Sequence, residues 1–361
     1  MKGALAHIVF LGLVAVLCTQ CRPENPPDPK PDGYVEVPDE AFLEALIALG
    51  IDVNGDGYLV EAEAVGIDSL YVGMADIADL TGIEAFVDLE VLVCWINAIT
   101  DLDLSHNPRL RKLICNDNLL ANLDLTGNPL LEELSCNKNL LTSLDLSGNP
   151  ALQILGCNEN LLTSLNLGTL DQLQLVSCAV NRLATLDLDH ATGLETLLCY
   201  DNALETLDLQ SLAQLRSLDC RSNDLTDIDV SASPLLEKLR IGHNYISDLD
   251  LSASPLLNYL DCNLTDLTTL DLSDSPDLRE LYCSTNSFTT LDLTSNPSLK
   301  KLYCNENLFT ELNLSLNTEL TEISITDMST LTRILVWTTP FPPAGVTVNK
   351  TNSPNVFFES L

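Results

Sequence analysis

The chain has 361 residues, and 52 Asp and Glu against 17 Lys and Arg give it a formal net charge of −35. A surface this acidic repels phosphate backbones and anionic bilayers, which argues against nucleic-acid binding and against a basic membrane-binding face. Hydrophobic residues make up 46% of the chain but aromatic ones only 5%, too apolar for a disordered acidic chain and suggestive of aliphatic repetition.

Residues 1–21 come first. Met1 and Lys2 precede an apolar run from Ala4 to Leu17, too short to span a bilayer and readable as an export signal. Cys18 and Cys21 follow it. A cysteine at this place resembles the cleavage box of bacterial lipoproteins, although Leu17 and Gln20 are larger than the residue that box prefers. The resemblance implies a lipid on Cys21 or Cys18 and a place in the cell envelope, at the outer membrane or surface. Without the lipid the chain would be secreted. The lipid would be its sole membrane contact. Residues 22–33 hold Pro23, Pro26, Pro27, Pro29 and Pro31, the composition of an extended, semi-rigid tether.

Residues 34–66 read as a helical cap. Phe42, Leu43, Leu46, Ile47 and Leu49 have helical spacing. Residues 52–63 then match the loop pattern of EF-hands. In such a loop Asp52, Asn54 and Asp56 supply side-chain oxygens, Tyr58 its carbonyl and Glu63 both carboxylate oxygens to calcium. Gly57 allows the sharp turn, and Leu59 is placed to pack beneath. Val60 departs from the pattern at a position that often ligates through a side chain or water. A lone loop points to a structural calcium clip, since sensors pair two. The alternative is an Asx- and Gly-rich turn without metal.

Residues 67–319 are repeats. Cys94, Cys115, Cys136, Cys157, Cys178, Cys199 and Cys220 are 21 apart; Ile241 takes the next slot, and Cys262, Cys283 and Cys304 continue. Eleven 21-residue units run from Leu89 to Glu319, preceded by a 22-residue unit at Ile67–Asp88. The pattern Leu-x-x-Leu-x-Cys-x-x-Asn-x-Leu resembles a leucine-rich repeat, and its cysteine is similar to that of cysteine-bearing bacterial internalins. The resemblance implies an α/β solenoid, a horseshoe or arc with a parallel β-sheet on its concave face, a mostly irregular convex side and a short helical N-terminal cap.

Stacking supports this independently, because one unit cannot bury its aliphatic face alone. Unit positions 1, 4, 6, 9, 11, 14 and 16 are the expected inward columns. Position 9 is Asn in ten units, expected to turn inward and bond backbone groups. Adjacent parallel strands lie about 4.8 Å apart, whereas a disulfide wants Cβ atoms about 3.8 Å apart, so free buried thiols are expected at position 6. Ile241 in that slot agrees with packing as the requirement. Position 15 is Asp in nine units, from Asp103 to Asp292, a solvated outer edge or a cation rail.

Binding on such a scaffold belongs to outward strand positions. Early units present Val91, Val93, Trp95, Ile96 and Ile114, read as packing under the cap. Later units collect scarce residue types: Tyr200, Arg221, Lys238, Arg240, His243, Tyr245, Tyr259, Asp261, Tyr282 and Tyr303. Tyr and Arg are frequent interface anchors, so this is the expected ligand face for a protein or glycan. A passive spacer and a calcium-gated adhesin are the alternatives. Residues 320–361 read as a degenerate last repeat and a cap bearing Trp337, Phe341, Pro342, Pro343, Phe357 and Phe358. His106, His190 and His243 lie in units far apart, so no converging catalytic set is expected and the chain reads as a monomeric non-enzyme.

Overall fold

Each unit travels once around the core and lays one three-residue strand beside its predecessor's. A computed structural model describes residues 30–167, 170–353 and 356–360; the export signal, Cys18, Cys21 and most of the tether lie outside them. Fourteen parallel strands form one sheet from Ser69–Tyr71 to Thr347–Asn349. The register repeats the sequence period: Leu113 pairs with Leu134, and Leu134 with Leu155. The first step is 22 residues, from Ser69 to Val91.

On the concave side only positions 3–5 are extended, because position 6 already turns toward the core and position 8 reverses the chain. Every position-8 residue from Ile96 to Glu306 has positive φ, including the β-branched Ile96 and Val180, a conformation that costs L-residues energy. Neighbouring units hold it there: the Asp117 N–H donates to the Asn137 carbonyl.

The expected inward columns are buried, apart from Asn97, Asn181, Asn202 and Asn286 at position 9, which are half-buried. Position 9 fulfils its role. Asn139 Nδ2 donates to the Cys115 and Cys136 carbonyls, and its Oδ1 accepts from the Leu120 N–H. All ten ladder cysteines are free and buried. Burial pushes the thiols of Cys94, Cys136, Cys178 and Cys304 up to about 12, which keeps them protonated and unreactive. The structure adds an eighth buried column at position 19: Asn107, Asn128 and Asn149, then Leu170, Ala191 and Leu212, then Ser233, Ser254 and Ser275, then Asn296 and Asn317. Its asparagines donate across units, as Asn128 Nδ2 does to the Leu104 and Asn107 carbonyls. Their Oδ1 atoms are buried without a donor.

On the convex side, position 15 closes turns. Asp124 Oδ1 accepts from the Thr126 N–H and hydroxyl, and the same bond from the residue two ahead recurs at Asp145, Asp229, Asp250, Asp271 and Asp292. Two short sheets add to this side, Ser164–Asn166 with Thr185–Asp187, and Glu311–Asn313 with Arg333–Val336 and Phe357–Ser360.

At the N-terminal end, helix Glu40–Ala48 seats Phe42 and Leu46 in the core and leaves Ile47 and Leu49 exposed. Asp39 caps it through Phe42 N and reaches Ala78 N and Asp79 N in the first repeat. Burial alone would raise this carboxyl, but its backbone N–H donors hold it below the ordinary value. At the other end, residues 320–360 form two further turns. Glu322–Ser324 and Thr347–Asn349 extend the concave sheet. Trp337, Phe341 and Phe358 do cluster there, with centroids 5.1 and 4.9 Å apart; Phe357 instead stays 76% exposed, because strand alternation turns it away from Phe358. Among the described residues no helix is long and apolar enough to cross a membrane.

Candidate functional site

The floor of the concave face is set by what position 7 does. Its backbone N–H faces the preceding unit and needs an acceptor there. In the middle units asparagine supplies it. Asn116 Oδ1 accepts from Asn137 N and Ser135 Oγ, Asn137 Oδ1 from Asn158 N and Nδ2, and Asn158 Oδ1 from Ala179 N and Ser177 Oγ. With Gly156 between them, these side chains make a low polar ledge whose hydrogen bonds run along the solenoid.

Two of the later units solve the same problem differently, whereas Ser284 N and Asn305 N again bond the preceding unit, at Asn263 Oδ1 and Ser284 Oγ. Arg221 N and Asn263 N turn to the aspartate two residues back in their own strand, Asp219 Oδ1 at 3.4 Å and Asp261 Oδ1 at 3.2 Å. That releases position 7 to carry Arg221. Asp219 is only 2% exposed, and Arg221 grips it with Nε at 2.8 Å and Nη2 at 2.7 Å. This bidentate bond raises the guanidinium pKa above its ordinary value, although burial opposes the shift. Arg240 Nη1 lies 3.5 Å from Asp219, and Arg221 Nη1 3.8 Å from Asp261. Burial pushes the Asp261 carboxyl up, while Asn263 N and both arginines pull it down.

Aromatic rings continue the cluster. The Arg240 guanidinium sits 4.7 Å over the Tyr259 ring, and Arg221 5.8 Å over Tyr200. Tyr259, Tyr282 and Tyr303 stack along the sheet at 5.3 and 4.9 Å. Seven of the ten residues predicted from sequence therefore meet in one network. Lys238 stands exposed on the same strand as Arg240 without an ion-pair partner among the described residues. His243 and Tyr245 lie past the strand on the flank, where Tyr245 is 60% exposed. The sequence reading omitted Asp219, Glu280 and Glu322, which hold Arg221, Tyr282 and Tyr303; an acid at position 5 or 3 beside an outward Arg or Tyr was the available signal.

The early apolar cluster does not pack under the cap. Trp95 and Ile96 stay 38% and 43% exposed, because the cap covers the end of the solenoid and these side chains lie on the concave face. The Trp95 ring rests on Gly73, where an added Cβ would fall 2.5 Å from Cδ1 and Nε1.

The 52–63 loop has the turns its sequence implies. Asp52 Oδ1 accepts from Gly55 N and Oδ2 from Gly57 N, Asn54 Oδ1 from Asp56 N, and Asp56 Oδ1 from Tyr58 N. Gly57 has φ of 79°. Glu63 folds back, its Oε1 accepting from Val53 N and its Oε2 from Val60 N. Asp52, Asp56 and Glu63 are not gathered into a metal cage; among the described residues no three His, Cys, Asp or Glu side chains are. His106 and His190 occupy the convex side, apart from both regions.

No family model and no curated protein matches the sequence. Solved structures do. The functional domain of InlJ from Listeria monocytogenes, described as including a cysteine ladder, matches with TM-score 0.61 and 29% identity over 84% of this chain and 77% of that one. An internalin of the same organism, InlF, gives 0.73 at 21% identity over 90% and 95%. A leucine-rich repeat protein of Leptospira interrogans gives 0.65 at 20% identity over 78% and 81%. The last two likenesses speak to the fold alone.

Proposed function

We propose that this leucine-rich repeat solenoid is a non-enzymatic recognition module of the bacterial cell surface, which binds a partner through the later strands of its concave face. One observation carries the reading: the ladder columns hardly change from unit to unit, while charged and aromatic side chains concentrate on the outward positions between Leu198 and Tyr303. Interfaces are anchored by such residues. The likeness to internalins and the mounting of the network on rigid strands support it. The test is binding to arrays of extracellular proteins and glycans by wild type, Tyr282→Ala and Arg240→Ala. Loss in both variants at unchanged melting temperature supports the reading; binding equal to wild type refutes it.

Export and lipid attachment at Cys21 or Cys18 belong to the same proposal, as does monomeric action. Mass spectrometry of the mature N-terminus distinguishes a diacylated cysteine from a free amine. Calcium is proposed as a structural ion held by Asp52, Asn54, Asp56, the Tyr58 carbonyl and Glu63. The turns of the loop support it, and binding would require Glu63 to exchange its N–H donors for the ion. A melting transition unchanged by chelator and by Glu63→Gln would remove calcium from the account.

A further inference from the structure

The tyrosines of the late strands are arranged so as to choose between partner classes. An aromatic platform for a sugar needs an open ring face, since the electron-rich face attracts the C–H groups of a pyranose. Here the faces of Tyr259 and Tyr282 are covered. Tyr282 lies between Tyr259 and Tyr303, at 5.3 and 4.9 Å with interplanar angles of 33° and 18°. Tyr259 in turn lies between Tyr282 and the Arg240 guanidinium, whose strands flank its own. The stack thus turns its edges and hydroxyls to the groove.

The hydroxyl rim has a definite polarity. Tyr282 Oη donates to Glu280 Oε2 at 2.9 Å, and Tyr303 Oη donates to Glu322 Oε1. The bond to Glu322, with burial adding to it, pushes the Tyr303 hydroxyl up to about 12; burial and the bond to Glu280 raise Tyr282 likewise. Both phenols stay protonated at neutral pH, and each proton is engaged. What remains available are lone pairs on two phenolic and four carboxylate oxygens. Lys301 lies 3.3 Å from Glu280, and Glu322 has no ion pair among the described residues. Arg221 and Arg240, in preceding units, face Asp219. The rim is an acceptor surface on a chain of net charge −35, which steers cations toward it.

We infer that the Tyr259–Tyr303 ridge docks the Lys and Arg side chains of a basic protein surface, an inference that rests on the concave-face reading above. Cationic groups would bond Glu280, Glu322 and the two phenolic oxygens at the ring edges.

Fluorescence anisotropy of the full chain tests it with three probes: a labelled (Arg-Ser)6 peptide, a labelled (Glu-Ser)6 peptide and labelled chitohexaose. Glu280→Gln with Glu322→Gln is compared with Asp103→Asn plus Asp124→Asn, which removes the same charge from the convex side. The expected result is binding of the Arg peptide alone, weakened about tenfold by the concave pair and less than twofold by the convex pair. Tyr282→Phe, which keeps the stack and removes a phenolic oxygen, should weaken it about threefold. Equal loss in both charge pairs would show bulk attraction and overturn the inference. Chitohexaose binding that Tyr282→Ala abolishes would also overturn it, while leaving the concave-face reading intact.

Discussion

The concave floor between Leu113 and Ala179 and the floor between Ser217 and Tyr303 are built on the same strands, yet one is a ledge of small amides and the other a raised network of ions and rings. At Arg221 the difference follows from one backbone group. Position 7 must find an acceptor for its N–H. When the preceding unit's side chain supplies it, position 7 stays small or polar, as at Asn137, Asn158, Ala179, Ser284 and Asn305. When an aspartate in the same strand supplies it, as Asp219 and Asp261 do, position 7 is free to vary. A solenoid can therefore change its binding surface without changing its ladder, provided the acceptor moves.

This contrast can be broken by mutation. The largest effect is expected for Asn139→Ala, which strands the buried Leu120 N–H and leaves the Cys115 and Cys136 carbonyls only the donors Asn118 Nδ2 and Asn160 Nδ2; urea unfolding should show a loss of about 3 kcal/mol. Asn137→Ala on the wetter ledge should cost about 1 kcal/mol, and a reversed order would contradict the distinction between ladder and floor. Arg221→Ala leaves Asp219 buried against Arg240 alone and should cost about 2 kcal/mol. Adding Asp219→Asn should recover most of it.

The two sides also differ in their response to pH. Hydrogen bonds from Thr126 lower the Asp124 carboxyl, and those from Ser147 and Ser252 do the same for Asp145 and Asp250. These groups stabilise the fold above the unfolded value near 3.8, and the contribution is lost as pH falls through their lower folded values. Asp261 has the opposite sign: raised by burial, it opposes folding at neutral pH, and acidification through its folded pKa relieves that. Melting curves should thus collapse below about pH 4, and Asp261→Asn should remove a modest gain seen between pH 7 and that limit. The smallest effect is expected at Val180, where φ is 55°. Val180→Gly should raise stability by about 0.5 kcal/mol, the relieved strain less the entropy that glycine loses on folding.

Much of this was legible in the sequence because a stacked repeat writes its core as columns. The 21-residue period, the buried position-9 asparagine and the free thiols all follow from residue type and spacing, and the register confirms the period strand by strand. Position 19 escaped because its residue type changes from Asn to Leu, Ala and Ser along the stack, so no column is visible until burial is known. Position 8 escaped because Ile, Asp, Lys and Val carry no sign of the left-handed conformation that the neighbouring unit imposes. The Arg–Tyr network was legible as a concentration of Tyr and Arg. Its internal pairing was not, since Arg221 meets Asp219 of its own unit and Asp261 two strands on only once the strands are placed. The early apolar cluster was misplaced for a related reason: sequence position near the cap does not say which face a side chain takes.

The central claim is that the late concave strands, and not the convex turns, meet the partner. It is tested most directly by a genetically encoded photo-crosslinker placed at Lys238 or at Thr269, exposed positions on the two sides, in cells that make the protein. The account predicts adducts from position 238, mapped by mass spectrometry to a Lys- and Arg-rich segment of one partner, and none from 269. Equal adducts from both positions, or adducts from 269 alone, would contradict it.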